Sequence, residues 1–371
     1  MTLMRSIFDF VKKNTVLAVA IFAAAVTSFI ITPDKEYLSY FDFKTLTCLF
    51  CVLAVVCALR NISFFYMLAQ DIVNVFKTTR MCVLALVYIT FIGSMLIAND
   101  MALLTFLPLG YFVLSSANKK EIMAFVFIMQ NVAANLGGML TPFGNPQNLY
   151  LYTKYNIPTG EFISIMALPF ILSITVITAT CFVFVKNEPL QVKKEEISLP
   201  PVRTAVYLVL FALSIIIVFR VIPYWIGLII IPVVLAFLDK KALKDVDYAL
   251  LFTFVAFFIF AGNMSRIPLV KETFEFLLSK STLLFSVLSC QIISNVPSAI
   301  LLSQFTDNYS HLLIGVNIGG VGTLISSLAS LITFKEYVKF NPGRSGYYVK
   351  CFSAINFSFL ILLTTAMAAV N

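Results

Sequence analysis

Apolar residues along this 371-residue chain come in long runs with almost no charge, separated by short polar segments. Val16–Ile31, Thr204–Val218 and Tyr248–Ala261 are nearly free of charged side chains. Such runs have about the length an α-helix needs to cross a ~30 Å hydrocarbon layer. The pattern predicts spans at 15–32, 42–60, 121–152, 161–185, 204–220, 222–238, 246–262, 311–335 and 346–369, of which 121–152 and 311–335 are broken. Two further apolar stretches, 80–116 and 281–306, carry a polar interruption at mid-length. They are expected as re-entrant hairpins that enter and leave on the same face. The fold class expected is an all-α polytopic membrane protein with about nine spans plus two hairpins. The first run is too long, and too far from a small-residue cleavage site, to read as a signal peptide.

The same elements recur in the same order in two halves. Asp42-Phe43 opens a span that closes at Asn61-Ile62-Ser63, and Asp247-Tyr248 opens another that closes at Asn263-Met264-Ser265. A short amphipathic segment follows each, at 62–77 and 264–279, of the kind that lies along a membrane interface. Then come the hairpins, with tips Ile97-Ala98-Asn99-Asp100 and Ile293-Ser294-Asn295-Val296, and last the broken helices. Asn135 to Asn145 aligns without a gap on Asn317 to Ser327, bringing Gly137-Gly138 onto Gly319-Gly320 and Thr141 onto Thr323. The organisation expected is a first inverted repeat over 1–185, a cytoplasmic linker and connecting span over 186–221, and a second inverted repeat over 222–371. Inverted repeats with interrupted helices are a transporter signature, with binding expected where the interruptions meet near the membrane midplane.

Composition agrees: 60% of residues are hydrophobic, only 12% are charged, and the mean hydropathy is +0.96. A soluble domain carries about 25% charge and could not shield this much apolar surface. The net charge of +8 invites a nucleic-acid reading, which fails on position. With a cytoplasmic N-terminus, 19 of the 26 Lys and Arg fall on the inside and 7, at 35, 44, 154, 220, 266, 271 and 280, fall outside. That is the positive-inside bias, and it supports a cytoplasmic N-terminus. Most of the seven cysteines lie in apolar segments and read as small hydrophobes, the Cys48/Cys51 pair included. No phosphate-binding Gly-Lys-Ser/Thr loop, His-Glu-x-x-His helix or Gly-x-Ser-x-Gly turn occurs, so neither direct ATP drive nor an enzyme is expected.

The chemistry concentrates at the interruptions. Gly137 to Asn148 holds three glycines and two prolines, at about 1 kcal/mol per Gly and 3 per Pro against a continuous helix. Lipid offers the freed backbone no hydrogen bonds, so the segment must be buried in protein or line a polar cavity. Its carbonyls and half-helix ends then become ligands, N-terminal ends for anions and carbonyls for cations. A simple kink would not need Asn145, Gln147 and Asn148. The hairpin tips place Asn99, Asp100, Ser294 and Asn295 in apolar sequence, with Pro297 to stop the helix. Asparagine can ligate Na+ through its oxygen and donate to an oxyanion through its NH2. Asp100 is the sharpest residue, because a carboxylate at membrane depth is expensive. It reads as a Na+ or H+ binder, or as a cap on the next half-helix or a group at an aqueous mouth. His311, the only histidine, reads as interfacial, and Arg266 as an anion contact or a snorkelling arm.

The run Asn135 to Asn148, with Ser294-Asn295-Val296-Pro297 and Asn317 to Thr323, resembles the ion transporter superfamily. That group holds citrate and dicarboxylate carriers, arsenite permeases and NhaD-type sodium/proton antiporters. The short chain most resembles the bacterial inner-membrane citrate-transporter-like anion permeases, which implies a multi-pass protein of that membrane. The resemblance implies a homodimer with a scaffold and an elevator-like moving domain that contains both hairpins and both broken helices. It implies tip asparagines at Asn99 and Asn295, and cation-binding loops at Thr141–Asn145 and Thr323–Ser327. Dicarboxylate carriers show Ser-Asn-Thr at both tips, so Ala98-Asn99-Asp100 and Ser294-Asn295-Val296 depart from them. The expected substrate site is Asn99, Asp100, Asn145, Asn148, Asn295, Thr323 and Ser327. The expected coupling site for Na+ or H+ is Asn99, Asp100, Thr141, Gly144, Ser294, Asn295 and Ser326. The function expected is secondary transport of a small di- or tricarboxylate or inorganic oxyanion coupled to Na+ or H+. The alternative is cation/proton antiport or arsenite-type efflux. No other cofactor is expected, and the partners are the small anion, the bilayer and a second copy of the chain, with no nucleic acid.

Overall fold

The computed structural model describes residues 14–190 and 198–370, and among them it is helical apart from one isolated backbone bridge between Thr78 and Pro189. The expected basic residues at 5, 12, 13, 193 and 194 lie outside the described residues. In the first half the helices are α1 (Thr15–Ile30), α2 (Phe43–Asn61), α3 (Phe64–Asn74), α4 (Thr79–Ile97), α5 (Asn99–Ser116), α6 (Met123–Gly137), α7 (Pro146–Lys154) and α8 (Thr159–Phe184). There follow α9 (Pro201–Val218), α10 (Tyr224–Leu238), α11 (Lys240–Lys244), α12 (Tyr248–Ser265) and α13 (Pro268–Lys280). The chain closes with α14 (Thr282–Ile293), α15 (Asn295–Leu302), α16 (Tyr309–Ile318), α17 (Leu328–Phe340) and α18 (Ser345–Val370).

Among the described residues seven helices are long and apolar enough to cross a membrane, so this is a polytopic membrane protein. Two expected spans are shorter: α1 has 16 residues and α10 has 15, against about 20 for an untilted crossing. The second broken helix divides into halves of 10 and 13 residues, each too short to span by itself. Both hairpins form where the apolar pattern placed them, as α4–α5 and α14–α15, and the amphipathic segments become α3 and α13.

Repeat-equivalent aspartates start the two matching helices. Asp42 accepts from the Thr45 N–H at 3.0 Å at the head of α2, and Asp247 accepts from the Leu250 N–H at 2.9 Å at the head of α12. Each satisfies a donor that the first helical turn leaves free. Around them one layer assembles, with α2 against α9 and α10, and α1 along α12. The second layer holds α4 to α8 and α14 to α18, in which α6 packs on α4, α5 and α17, and α14 on α16. The stretch Lys120–Leu140 is 89% buried, whereas Thr159–Phe184 and Pro201–Val218 are 28% buried. The broken helix is thus the centre of the second layer, and α8 and α9 face outward. The layers meet where α12 packs on α15 and α2 on α7.

Contacts sort the polar loops into two ends. At one, Arg80 Nε donates to the Val185 carbonyl at 2.8 Å, Lys119 pairs with Glu188, and Tyr111 stacks on Phe340 at 3.7 Å with Lys120 over the Tyr111 ring. At the other, Arg266 pairs with Asp34 at 2.7 Å and Glu36 at 3.4 Å, and Tyr309 donates to Glu161 at 2.6 Å. The Arg266 guanidinium bonded to Asp34 holds that carboxyl below the usual carboxylate range. Arg266 is therefore a cross-chain clamp on the loop after α1, a partner that neither an anion contact nor a free snorkelling arm supplies.

Candidate functional site

Each hairpin turns on one residue with positive φ: Ala98 at φ 66° and Ser294 at φ 74°. Reversal at these points lets the first N–H of the returning helix leave the hairpin and bind the opposing break. Asn99 N donates to the Gly144 carbonyl at 3.1 Å, and Asn295 N donates to the Ser326 carbonyl at 2.9 Å. Gly144 and Ser326 are equivalent in the repeat, so the two units make the same bond. The hydroxyls agree as well, with Thr141 Oγ1 donating to Met95 O at 2.7 Å and Thr323 Oγ1 to Gln291 O at 3.2 Å. The side-chain oxygen of each tip asparagine accepts from the next N–H at 2.9 Å. The starts of α5 and α15 therefore meet the starts of α7 and α17, and four half-helix N-termini converge. N-terminal ends carry partial positive charge and free N–H groups.

The breaks are held open by close backbone approach. A Cβ at Gly138 would stand 2.6 Å from the Gly144 carbonyl oxygen, too close for any other residue. Gly322, at φ +125°, occupies a region where L side chains are strained.

Between the breaks lies a buried amide network. Asn145 Nδ2 donates to Asn317 Oδ1 at 3.0 Å, Asn317 Nδ2 donates to Asn148 Oδ1 at 2.6 Å, and Gln147 Nε2 reaches Asn317 Oδ1 at 3.4 Å. Asn148 Nδ2 in turn donates to the carbonyls of Gly138 and Met139, both at 3.2 Å. Asn99 Nδ2 donates to Asn135 Oδ1 at 3.2 Å, and Asn131 Nδ2 donates to Ser330 Oγ at 3.3 Å. A Cβ at Gly320 would lie 3.1 Å from Asn295 Nδ2 and 3.6 Å from Asn135 Oδ1, which brings the second tip to the same place. Three buried oxygens here have no hydrogen-bond partner among the described residues: Asn145 Oδ1, Gln147 Oε1 and Asp100 Oδ1. A buried acceptor without a partner costs about 1–3 kcal/mol, so each marks a place where a ligand gains.

The structure thus gathers Asn99, Asn145, Asn148 and Asn295. It commits the hydroxyls of Thr141, Thr323, Ser326 and Ser327 to internal bonds: Ser326 Oγ to the Gly320 carbonyl at 2.9 Å, and Ser327 Oγ with Ser330 Oγ at 2.9 Å. Ser294 Oγ lies 3.2 Å from the Ser326 carbonyl. Asp100 sits in the first turn of α5, and its buried Oδ1 accepts no helical N–H among the described residues. It lines a cavity of about 230 Å³ between the layers, with Arg60, Asp245 and Asp247 on the other walls. His311 sits at the head of α16, its Nδ1 2.8 Å from Asn308 Nδ2, at the end that holds Glu161 and Tyr309. Cys48 and Cys51 are free and buried in α2.

Asn131, Asn317 and Gln291 were not assigned to the site from sequence, yet each is central. Gln291 Nε2 donates to Gly319 O at 2.9 Å and its oxygen accepts from Thr323 N at 2.9 Å, which locks the second break to its hairpin. The signal available was an amide in an apolar helix, alone at Gln291 and clustered with Gln130 and Asn135 at Asn131, expensive at depth and so a pointer to function.

A family model described as "Citrate transporter" matches residues 7–311. The chain is 34% identical over 313 residues to "Uncharacterized transporter MJ0456" of Methanocaldococcus jannaschii, covering 82% of this chain and 84% of that protein. It is 27% identical over 313 residues to "Inner membrane protein YbiR" of Escherichia coli K12, covering 81% and 82%. With the helical membrane architecture and the paired hairpin and break units, these matches make the chain a membrane transporter and not an enzyme, and it belongs to the citrate transporter family.

Proposed function

We propose that this protein is a secondary active transporter of a small anion, a di- or tricarboxylate or an inorganic oxyanion, coupled to Na+ or H+. The observation that carries this reading is the convergence of four half-helix N-termini on a buried, neutral amide network. N–H groups and amide NH2 suit an anion, and the partnerless oxygens of Asn145, Gln147 and Asp100 suit a cation. In this reading α4–α5 and α14–α15 are re-entrant hairpins of two inverted repeats, 1–185 and 222–371, joined through 186–221. The second layer moves against the first as an elevator, in a homodimer. The end with Arg80, Lys119 and Lys120 faces the cytoplasm, as does the N-terminus, in a bacterial inner membrane. Uptake of citrate, succinate, sulfate, phosphate and arsenite into proteoliposomes, with and without a Na+ or pH gradient, tests it. Gradient-driven accumulation of at least one anion is expected. Flux of all of them that ignores both gradients would remove the reading.

One observation favours a second reading, cation/proton antiport or arsenite-type efflux. Asp100 places an acidic group where the other tip has Val296, and its buried oxygen is free.

A further inference from the structure

A second cavity, of about 540 Å³, opens between the layers at the end opposite Lys119 and Glu188. Its walls come from Ser39 to Asp42 before α2, from Tyr150, Thr153 and Lys154 on α7, from Phe258, Gly262 and Ser265 on α12, and from Gln304. The volume lies within the 300–1,000 Å³ of small-molecule sites, whereas the 230 Å³ cavity beside Asp100 falls below it. The two cavities are related by the repeat, since one is walled by Asp42 and the other by Asp247, the equivalent helix-capping aspartates.

The larger cavity is lined by one aspartate and one lysine, and Asp42 and Asp307 act on Lys154 only from beyond ion-pair distance. Asp42 spends both oxygens on Thr45, one on its N–H at 3.0 Å and one on its hydroxyl at 2.5 Å, and the N-terminus of α2 offsets its charge. Lys154 has no carboxylate within ion-pair distance among the described residues. Its ammonium lies 5.9 Å from the centre of the Tyr150 ring. It therefore retains three donors, and burying its end without an acceptor is costly. Two more donors face the same space. Tyr40 accepts from Arg266 Nη1 at 3.1 Å and so keeps its own proton to give, with the bond from a guanidinium polarising it. The Thr153 hydroxyl makes no side-chain hydrogen bond among the described residues.

The geometry points to an anion-receiving subsite in this cavity, with Lys154 as its charge and Tyr40 and Thr153 as supporting donors, for a small carboxylate or oxyanion in solution. It lies on α7 directly beyond the amide network, because Asn148 and Lys154 are on the same nine-residue helix. An anion held there is one short helix away from Asn145 and Asn317. The subsite extends the proposed transport function by giving the pathway a mouth that concentrates its substrate.

The test reads anion attraction directly and needs no knowledge of the substrate. Ser265→Cys places a thiol on the cavity wall in the full-length protein in proteoliposomes. Its modification is timed with a negatively and a positively charged methanethiosulfonate reagent, and the parent protein, whose cysteines are buried or half-buried, gives the background. The negative reagent is expected to react faster. Lys154→Gln should lower the ratio of the two rates roughly fivefold, and Lys154→Arg should preserve it. Lys154→Met, which keeps the apolar stem over Tyr150, should match Lys154→Gln and serves if the glutamine variant does not fold. A ratio indifferent to neutralising Lys154, or a thiol that neither reagent reaches, would overturn the subsite. Either result could stand beside gradient-driven anion uptake, in which case the transport reading survives without it.

Discussion

The two hairpin and break units make the same backbone contacts with different side chains. In both, the first N–H after the tip donates to the equivalent carbonyl of the opposing break, at 3.1 Å on Gly144 and 2.9 Å on Ser326. Beyond that bond they diverge. The first unit has Asp100 at its tip and amides at Asn145, Gln147 and Asn148 after its break. The second has Val296, and serines at Ser326, Ser327 and Ser330. The first break is wired outward, through its amides, to Asn317 of the other half. The second is wired inward, through Gln291, to its own hairpin. The symmetric backbone sets where the site is. The asymmetric side chains leave the partnerless oxygens of Asp100, Asn145 and Gln147 all on the first unit, so the cation chemistry is expected there.

The largest test of that asymmetry is on activity. Asp100→Asn turns the first tip into a neutral one while keeping its size. If the coupling ion is H+, flux driven by a pH gradient should be abolished, because an amide cannot carry the proton, while thermal melting of the purified protein is unchanged. Uptake that persists with a Na+ gradient in the same variant would instead assign coupling to Na+ and the amide oxygens. Unaltered pH-driven flux would remove Asp100 from the mechanism and with it the antiport reading.

Asn317 and Asn135 are repeat-equivalent, which gives the next test. Asn317→Leu strands the Asn148 oxygen, withdraws the acceptor from Gln147, and leaves Asn145 with the Asn135 carbonyl alone. Asn135→Leu withdraws the acceptor from Asn99 and a donor from Asn131, whose carbonyl lies in the helix ladder and whose side-chain oxygen keeps Thr333. At about 1–3 kcal/mol for each buried polar group left unpaired, Asn317→Leu should destabilise by about 3 kcal/mol or more, and clearly more than Asn135→Leu. Melting temperatures of the two purified variants decide this. Equal losses would mean that the halves share the network evenly.

These two asparagines also show what could be read from the sequence. The tips and the breaks were legible because Asn, Gly and Pro violate an otherwise apolar pattern, and because they do so twice in the same order. Asn131, Asn317 and Gln291 are amides within otherwise apolar helices. Their partners lie far off in sequence, so no spacing marks which of them meet. Arg266 shows the same limit, because its acceptor Asp34 lies 232 residues earlier. The hydroxyls of Thr141, Thr323, Ser326 and Ser327 were legible as polar residues in a break, but only packing shows that they are already hydrogen-bonded.

A smaller effect separates Gln291 from its equivalent Met95. Gln291→Met makes the second unit resemble the first and removes bonds to Gly319, Val321 and Thr323. The break carries Gly322 at φ +125°, and among the described residues Gln291 is the side chain of its own hairpin that bonds to the backbone at both Gly319 and Thr323. A loss of about 2 kcal/mol is expected, seen as faster hydrogen exchange over 319–327 than over 137–145. Uniform exchange in both breaks would show that Gln291 is not what holds the second one.

The smallest effect is at the two turning residues, where the units should respond differently to one substitution. Ala98 at φ 66°, ψ 153° and Ser294 at φ 74°, ψ 160° both occupy a region that is essentially reserved for glycine and costs other residues about 1–3 kcal/mol. Glycine relieves that strain but adds about 0.5–1 kcal/mol of unfolded-chain entropy. Ala98→Gly also gives up one buried methyl group, about 0.8 kcal/mol, so a net gain of less than about 1 kcal/mol is expected. Ser294→Gly also loses the hydroxyl bond to the Ser326 carbonyl at 3.2 Å, which is worth about 0.5–1.5 kcal/mol. The gain there should shrink to about zero. The difference between the two melting temperatures, with Ala98→Gly the higher, measures how far the second hairpin depends on its serine to hold the turn. Equal gains would show that the hydroxyl bond contributes nothing, and that the two tips differ in chemistry but not in how they are held.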